Sequence, residues 1–178
     1  MLLQEYFLRE SLLEKGYSLN YKINHKKGTS YHEDLGLLPI IFPEKIIKFI
    51  EKLDKSKTQE TYFKGVINEK RSWVKKYSNV FESRRGRDSK EKYKIDPYYY
   101  KGLCKSKYGL APVNECPWSY RFFESLMCRA IPVIGKEEVD IYCNEYFYLR
   151  DGDTLVYNED KANENYLLFL NKNTLIYK

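Results

Sequence analysis

A chain of 178 residues and 21.4 kDa is most simply one domain, and 43% hydrophobic against 31% charged residues exclude disorder and supply a core. The formal charge of +6 favours acidic partners, whether nucleic acid, phosphorylated metabolites or an anionic membrane surface, without choosing among them. Tyrosine is over-represented at 18 residues, but it shares that bias with Asn, Lys and Ile, so composition alone does not make a stacking platform.

Residues 2–15 have helical periodicity, with Leu2, Leu3, Tyr6, Phe7 and Leu13 on one stripe and Gly16 as the stop. Glu5, Arg9, Glu10 and Glu14 interrupt any apolar core of a signal peptide, and no run is long enough to span a membrane, so the expected compartment is the cytoplasm. "YSLNYKI", 17–23, alternates like a strand, 25–39 reads as loop, and 43–53 reads as a helix with Pro43 in its first turn. The polar connection "DKSKTQE" then marks an internal boundary. It divides a short N-terminal α/β region, 1–58, from a Rossmann-like domain, 59–178.

Beyond it the rhythm is regular. Strands are expected at 61–67, 79–83, 108–113, 130–135 and 145–149, and helices at 69–77, 96–106, 118–129 and 159–173. Alternation of this kind predicts an α/β fold, a Rossmann-like parallel sheet with helices on both faces. Ligands of such sheets sit at the carboxyl ends of the strands, which places the loops near 66–69, 84–90 and 113–120 along one edge. Cys104, Cys116, Cys128 and Cys143 fit no metal-binding spacing and read as reduced, mostly buried thiols; no metal site is expected.

The chemistry concentrates in "NECPWSYRFFESLMCRAIPVIG", 114–135. The loop Val113–Pro117, with Asn114, follows an apolar strand and leads into a helix. Free backbone N–H groups at that helix start suit a phosphate. Ser119 adds a hydroxyl, Arg121 a fork that fits a diphosphate, and Glu124 an acceptor for the vicinal hydroxyls of a ribose. Lys70, Arg71, Arg84, Arg85 and Arg87 lie on neighbouring loops where they could neutralise further phosphate charge. Each feature has a plainer reading. Arg121 and Glu124 could be a helical ion pair, Trp118 and Tyr120 core rings rather than base-stacking ones, and 84–92 a solvated loop. Asp151 and Asp153 in "RDGDT" read as a hairpin turn rather than a cation-binding pair.

"YFKGVINEKRSWVKKY", "SKYGLAPV" and "PWSYRFFESLMCRAIPVI" together resemble the nucleotide-sugar-binding half of exostosin-like glycosyltransferases. Gly65, Arg71, Ser106–Tyr108, Pro112, Arg121, Glu124 and Ile131–Ile134 carry the resemblance, clearest over 61–135. It implies the donor half of a GT-B fold with a reduced N-terminal part, and a UDP- or GDP-sugar as substrate. It also implies transfer to a hydroxyl of a glycan or glycoprotein acceptor, with no cofactor or metal required. Arg121 and Glu124 would serve the donor, with Gly65, Arg71, Arg84, Arg85, Asn114, Trp118, Ser119 and Tyr120 around it. Two features depart from the family. Only about 60 residues precede the donor-like block, so the acceptor domain would be vestigial, absent, or supplied by a second copy or a partner chain. Arg129 stands where the family more often has Gly. In the early region, "HED" at 32–34 offers Glu33 and Asp34 as a general base. The alternatives are a non-catalytic nucleotide-sugar-binding protein and a basic nucleic-acid-binding module. Interleaved acids and the lack of a nucleic-acid motif argue against the module.

Overall fold

The computed structural model describes residues 1–84, 95–138 and 145–178. Helix α1 (Leu3–Glu14) is followed by an antiparallel sheet of β1 (Tyr21–Asn24), β2 (Thr29–His32) and β3 (Gly36–Leu38), then by α2 (Glu44–Glu51). The rest runs β4 (Gln59–Gly65), a 3-10 helix (Glu69–Lys76), β5 (Val80–Glu82), α3 (Pro97–Cys104), β6 (Ser106–Leu110), α4 (Tyr120–Met127), β7 (Ile131–Ile134), β8 (Leu149–Arg150) and α5 (Glu159–Lys172). β4 to β8 form one parallel sheet in the order β5-β4-β6-β7-β8. This is a Rossmann-like α/β fold. The chain leaves β4 for β5 on one side and returns to β6 on the other, so the order reverses between β4 and β6. A crevice opens at such a switch point, at the carboxyl ends of the two strands.

Alternation along the strands divides the core. Tyr62 packs with Tyr99, Leu103, Phe122 and Met127, which places α3 and α4 on one face. Phe63, Tyr108, Leu110 and Val133 pack with Val74 of the 3-10 helix and Ala162 on the other. The first cluster continues through Phe42, Ile46 and Ile50, so residues on both sides of position 58 share one apolar core. Phe42 lies within ring contact of Phe7 (5.0 Å) and Phe169 (5.6 Å). The Asn173 amide donates to Ile40 O (2.7 Å) while its backbone carbonyl accepts from Phe42 N (2.8 Å).

Several elements differ from the sequence expectation for local reasons. The loop expected at 25–39 contains β2 and β3. Gly28 (φ 64°) and Gly36 (φ 72°) make the two turns, and strands of three or four mixed residues are too short to show a period. The strand expected at 145–149 shrinks to Leu149–Arg150. The Asn165 side chain takes the Phe147 N–H (2.8 Å) and carbonyl (2.7 Å), removing both from any ladder. Pro43 caps α2 instead of entering it, and α4 starts at Tyr120, so Pro117 and Trp118 precede it. "RDGDT" is a tight turn, with Asp153 N donating to Arg150 O (2.9 Å) and Gly152 at φ 94°, but it leads into α5 and not back along a hairpin.

Arg129 resolves the departure noted before "AIPVI". It adopts φ 55°, the left-handed conformation that favours Gly, in a Schellman ending of α4. Ala130 N reaches Ser125 O (2.9 Å) and Arg129 N reaches Leu126 O (3.1 Å). The guanidinium lies 4.6 Å from the Tyr166 ring centroid, a cation–π contact that offsets part of the strain of about 1–2 kcal/mol. At the same amino edge of the sheet, Lys57 Nζ donates to the carbonyls of Cys104 and Cys128, each at 2.8 Å, and so caps the ends of α3 and α4 together. Cys104 and Cys128 are buried free thiols and Cys116 is half-buried; Cys143 lies outside the described residues. Among the described residues no helix is long and apolar enough to cross a membrane.

Candidate functional site

The carboxyl ends of β4 and β6 bring together residues far apart in sequence. Arg121, in the first turn of α4, stretches across the end of β4, where Nη2 donates to Lys64 O (3.0 Å) and the guanidinium lies 4.9 Å from the Phe63 ring centroid. Gly65 makes this possible, because a Cβ there would stand 2.1 Å from Arg121 Nη2. Arg71 clamps the two loops of the crevice. Its Nε donates to Val113 O (3.3 Å) and its Nη1 to Val66 O (3.1 Å). Asn68 caps the 3-10 helix through Arg71 N (3.1 Å) and donates to Asn114 Oδ1 (2.5 Å), while Lys70 Nζ reaches Asn114 O (3.5 Å). Two arginines, a lysine and the start of α4 therefore meet at the switch point, where phosphate oxygens would be stabilised.

The loop after β7 closes the neighbouring side. Glu138 Oε1 accepts from Val113 N (3.2 Å), and Arg150 Nη1 donates to the carbonyls of Gly135, Lys136 and Glu138. Burial pushes the Glu138 carboxyl above its ordinary range, against the backbone N–H groups that stabilise its charge. The Trp73 indole lies close enough to favour that charge slightly, but outside hydrogen-bond geometry. Trp73 Nε1 and Glu138 Oε2 are each buried without a partner. Both atoms are shielded from solvent, so the pair is an internal contact between the loop after β7 and the 3-10 helix.

The remaining sequence candidates fall elsewhere. Glu124 is 0% exposed, with Oε2 accepting from Tyr99 Oη (2.8 Å) and Oε1 from Tyr100 Oη (3.3 Å). Its carboxylate is turned into α3 and holds two helices together instead of facing the edge. Ser119 accepts from Arg121 N (3.2 Å), so its oxygen caps α4. Trp118 is 5% exposed and donates to His25 O (2.8 Å), and Tyr120 packs edge-on against Trp118, Phe7 and Phe42. Both rings are core. Arg84 is exposed beyond the end of β5, and Arg85 and Arg87 lie outside the described residues. No family model matches the chain, and no curated protein matches it.

Glu33 and Asp34 sit in the turn between β2 and β3. Hydrogen bonds from Ser18 Oγ and Asn20 Nδ2 occupy both Glu33 oxygens and hold its carboxyl below the ordinary range. His32 is buried; Nδ1 accepts from Asp34 N (3.1 Å), which assigns the proton to Nε2, donating to Ser18 O (2.9 Å). Asp151 takes the Tyr77 hydroxyl and the Lys76 ammonium, each at 2.7 Å, which outweigh its burial and lower its pKa. Asp153 accepts from Arg150 N (2.7 Å). Among the described residues no three His, Cys, Asp or Glu side chains gather as a metal site would require.

Of the sequence candidates, then, Gly65, Arg71, Asn114 and Arg121 share one place. Asn68, Trp73 and Glu138 join them without having been singled out. Asn68 had a legible signal, a helix-capping residue directly before Glu69. Glu138 had none beyond its place two residues after the Gly135–Lys136 turn.

Proposed function

We propose that the chain binds a nucleoside diphosphate sugar across the β4/β6 switch point and is the donor half of a glycosyltransferase. The observation that carries this reading is the convergence of Arg71, Lys70, Arg121 and the start of α4 on one crevice. In the displacement at the anomeric carbon, negative charge grows on the departing diphosphate. Preorganised guanidinium groups and helix N–H groups stabilise that charge more in the transition state than in the ground state.

A second reading is supported by Glu33. Hydrogen bonds from Ser18 and Asn20 lower the basicity of Glu33, which makes it a weaker general base. The chain would then bind the donor while another chain, or a second copy, supplies the proton acceptor. Calorimetric titration of UDP, GDP and their common sugars against wild type, Arg121→Ala and Arg71→Ala tests the site, with and without Mg²⁺. Binding that both substitutions weaken at least tenfold supports it. Binding that survives both, or no binding by any nucleotide, overturns it. Release of free or transferred sugar by the chain alone would decide against the purely binding reading.

A further inference from the structure

A second cavity, of about 540 Å³, lies outside the nucleotide crevice. It is bounded by the β1–β2 turn at Lys27–Thr29, the end of β3 at Leu38, Trp118 just before α4 and Phe123 in its first turn. Asn171–Asn173 at the end of α5 close it. Its size falls within the range of small-molecule sites, roughly 300–1,000 Å³.

Three of its buried polar side chains are already engaged. The Trp118 N–H is spent on His25 O (2.8 Å), the Tyr146 hydroxyl on Asn173 Oδ1, and the Asn173 amide on Ile40 O (2.7 Å). Trp118, Phe123, Tyr146 and Leu38 supply its apolar surface, beside the polar Thr29 and Asn171, and Leu37, 75% exposed, extends the apolar surface at the mouth. The rim is cationic. Lys172 pairs with Glu145, whereas Lys27 and Lys178 have no carboxylate partner among the described residues. The Lys178 ammonium is partly desolvated, which lowers its pKa and raises the gain from meeting an anion.

We propose that this cavity binds a small organic anion with an apolar body. The ring or chain lies on Trp118, Phe123 and Leu38, and the anionic group meets Lys27 and Lys178. This site stands on its own residues and does not depend on the nucleotide reading.

The probes are octanoate with 1-octanol as its neutral counterpart, and 2-naphthoate with 2-naphthamide. Each is titrated into the full chain and followed by calorimetry and by amide shifts at Gly28 and Lys172. One or both anions are expected to bind about tenfold more tightly than the neutral counterpart, with shifts at both amides; the stronger pair identifies a chain or a ring. Lys27→Glu and Lys178→Glu, at exposed positions whose fold circular dichroism verifies, should each weaken the anion roughly three- to tenfold and leave the neutral probe unchanged. Equal affinity for anion and neutral probe, indifference to both charge reversals, or no shift at Gly28 and Lys172 overturns the proposal. Binding of nucleotides has no bearing on any of these outcomes.

Discussion

Removing the Glu124 carboxylate should damage the fold before it touches any ligand. In Glu124→Ala, the Tyr99 and Tyr100 hydroxyls lose a charged acceptor inside a core from which the carboxylate itself is 0% exposed. Losing that acceptor costs about 1–3 kcal/mol for each hydroxyl, and a small void adds to that. The expected loss is about 3–5 kcal/mol, the usual scale for removing one member of a buried charged network. For a chain of this length the melting temperature should drop by roughly 10–15 °C. Glu124→Gln keeps one acceptor oxygen and offers the amide to the other hydroxyl, so it should lose only about 1–2 kcal/mol. Urea unfolding of Glu124→Gln, Tyr99→Phe and the double variant completes a cycle, with an expected coupling of about 1 kcal/mol or more. Calorimetry on the folded Gln variant should give nucleotide affinity within about twofold of wild type. A Glu124→Ala protein within about 1 kcal/mol of wild type, strictly additive effects of Glu124 and Tyr99, or abolished nucleotide binding in Glu124→Gln would refute the structural role.

Gly65→Ala places a methyl group 2.1 Å from Arg121 Nη2. The guanidinium must swing off Lys64 O, so nucleotide affinity should fall about tenfold while stability changes by no more than about 1 kcal/mol, read by calorimetry and thermal unfolding. Burial raises the Glu138 pKa, so the folded state binds more protons than the unfolded state just above the ordinary carboxyl range, and stability falls as pH rises through that window. Glu138→Gln should flatten that limb of the stability–pH curve. At high pH two effects oppose one another. Lys57 is pushed down to about 8 by burial, so stability should rise from there towards pH 10 as the folded state sheds its proton first. Tyr62, Tyr108 and Tyr166 are pushed up to about 12, again by burial, so stability should fall once the unfolded phenols ionise above pH 10. Denaturation monitored between pH 7 and 11 should show that maximum, and Lys57→Met should remove its rising side. Glu33→Gln should leave nucleotide binding and any transferase turnover unchanged; a hundredfold drop in kcat would restore Glu33 as the base.

The parallel sheet was legible because its signals are local. Apolar runs such as "AIPVI" are bounded by capping residues, and Asp96 before Pro97 marks the start of α3, where its Oδ1 accepts from Tyr98 N and Tyr99 N (3.1 Å each). What stayed hidden depended on partners remote in sequence. Nothing in "EYFYL" says that Asn165, some 18 positions away, will occupy the Phe147 backbone. The short β2 and β3 are held by pairing, not by a period. The direction of Glu124 is of the same kind. An Arg–x–x–Glu spacing states that two side chains share a helix face, but the residues meeting that face come from α3.

That distinction bears on what the Arg–x–x–Glu helix does here. Arg121 is long enough to leave α4 and lie over the end of β4, because Gly65 vacates the space a side chain would fill. Glu124, shorter and one turn deeper, cannot follow it out past Tyr99 and Tyr100. The helix therefore contributes a cation to the crevice and an anchor to the core. The next loop along the sheet braces the crevice from beside it, where Gly135 turns the chain and Glu138 accepts from Val113 N. In the proposed reading, a diphosphate on Arg121 and Arg71 would span the carboxyl ends of β4 and β6. That span runs along the edge of the sheet, where strand-end loops and not helix interiors face the ligand.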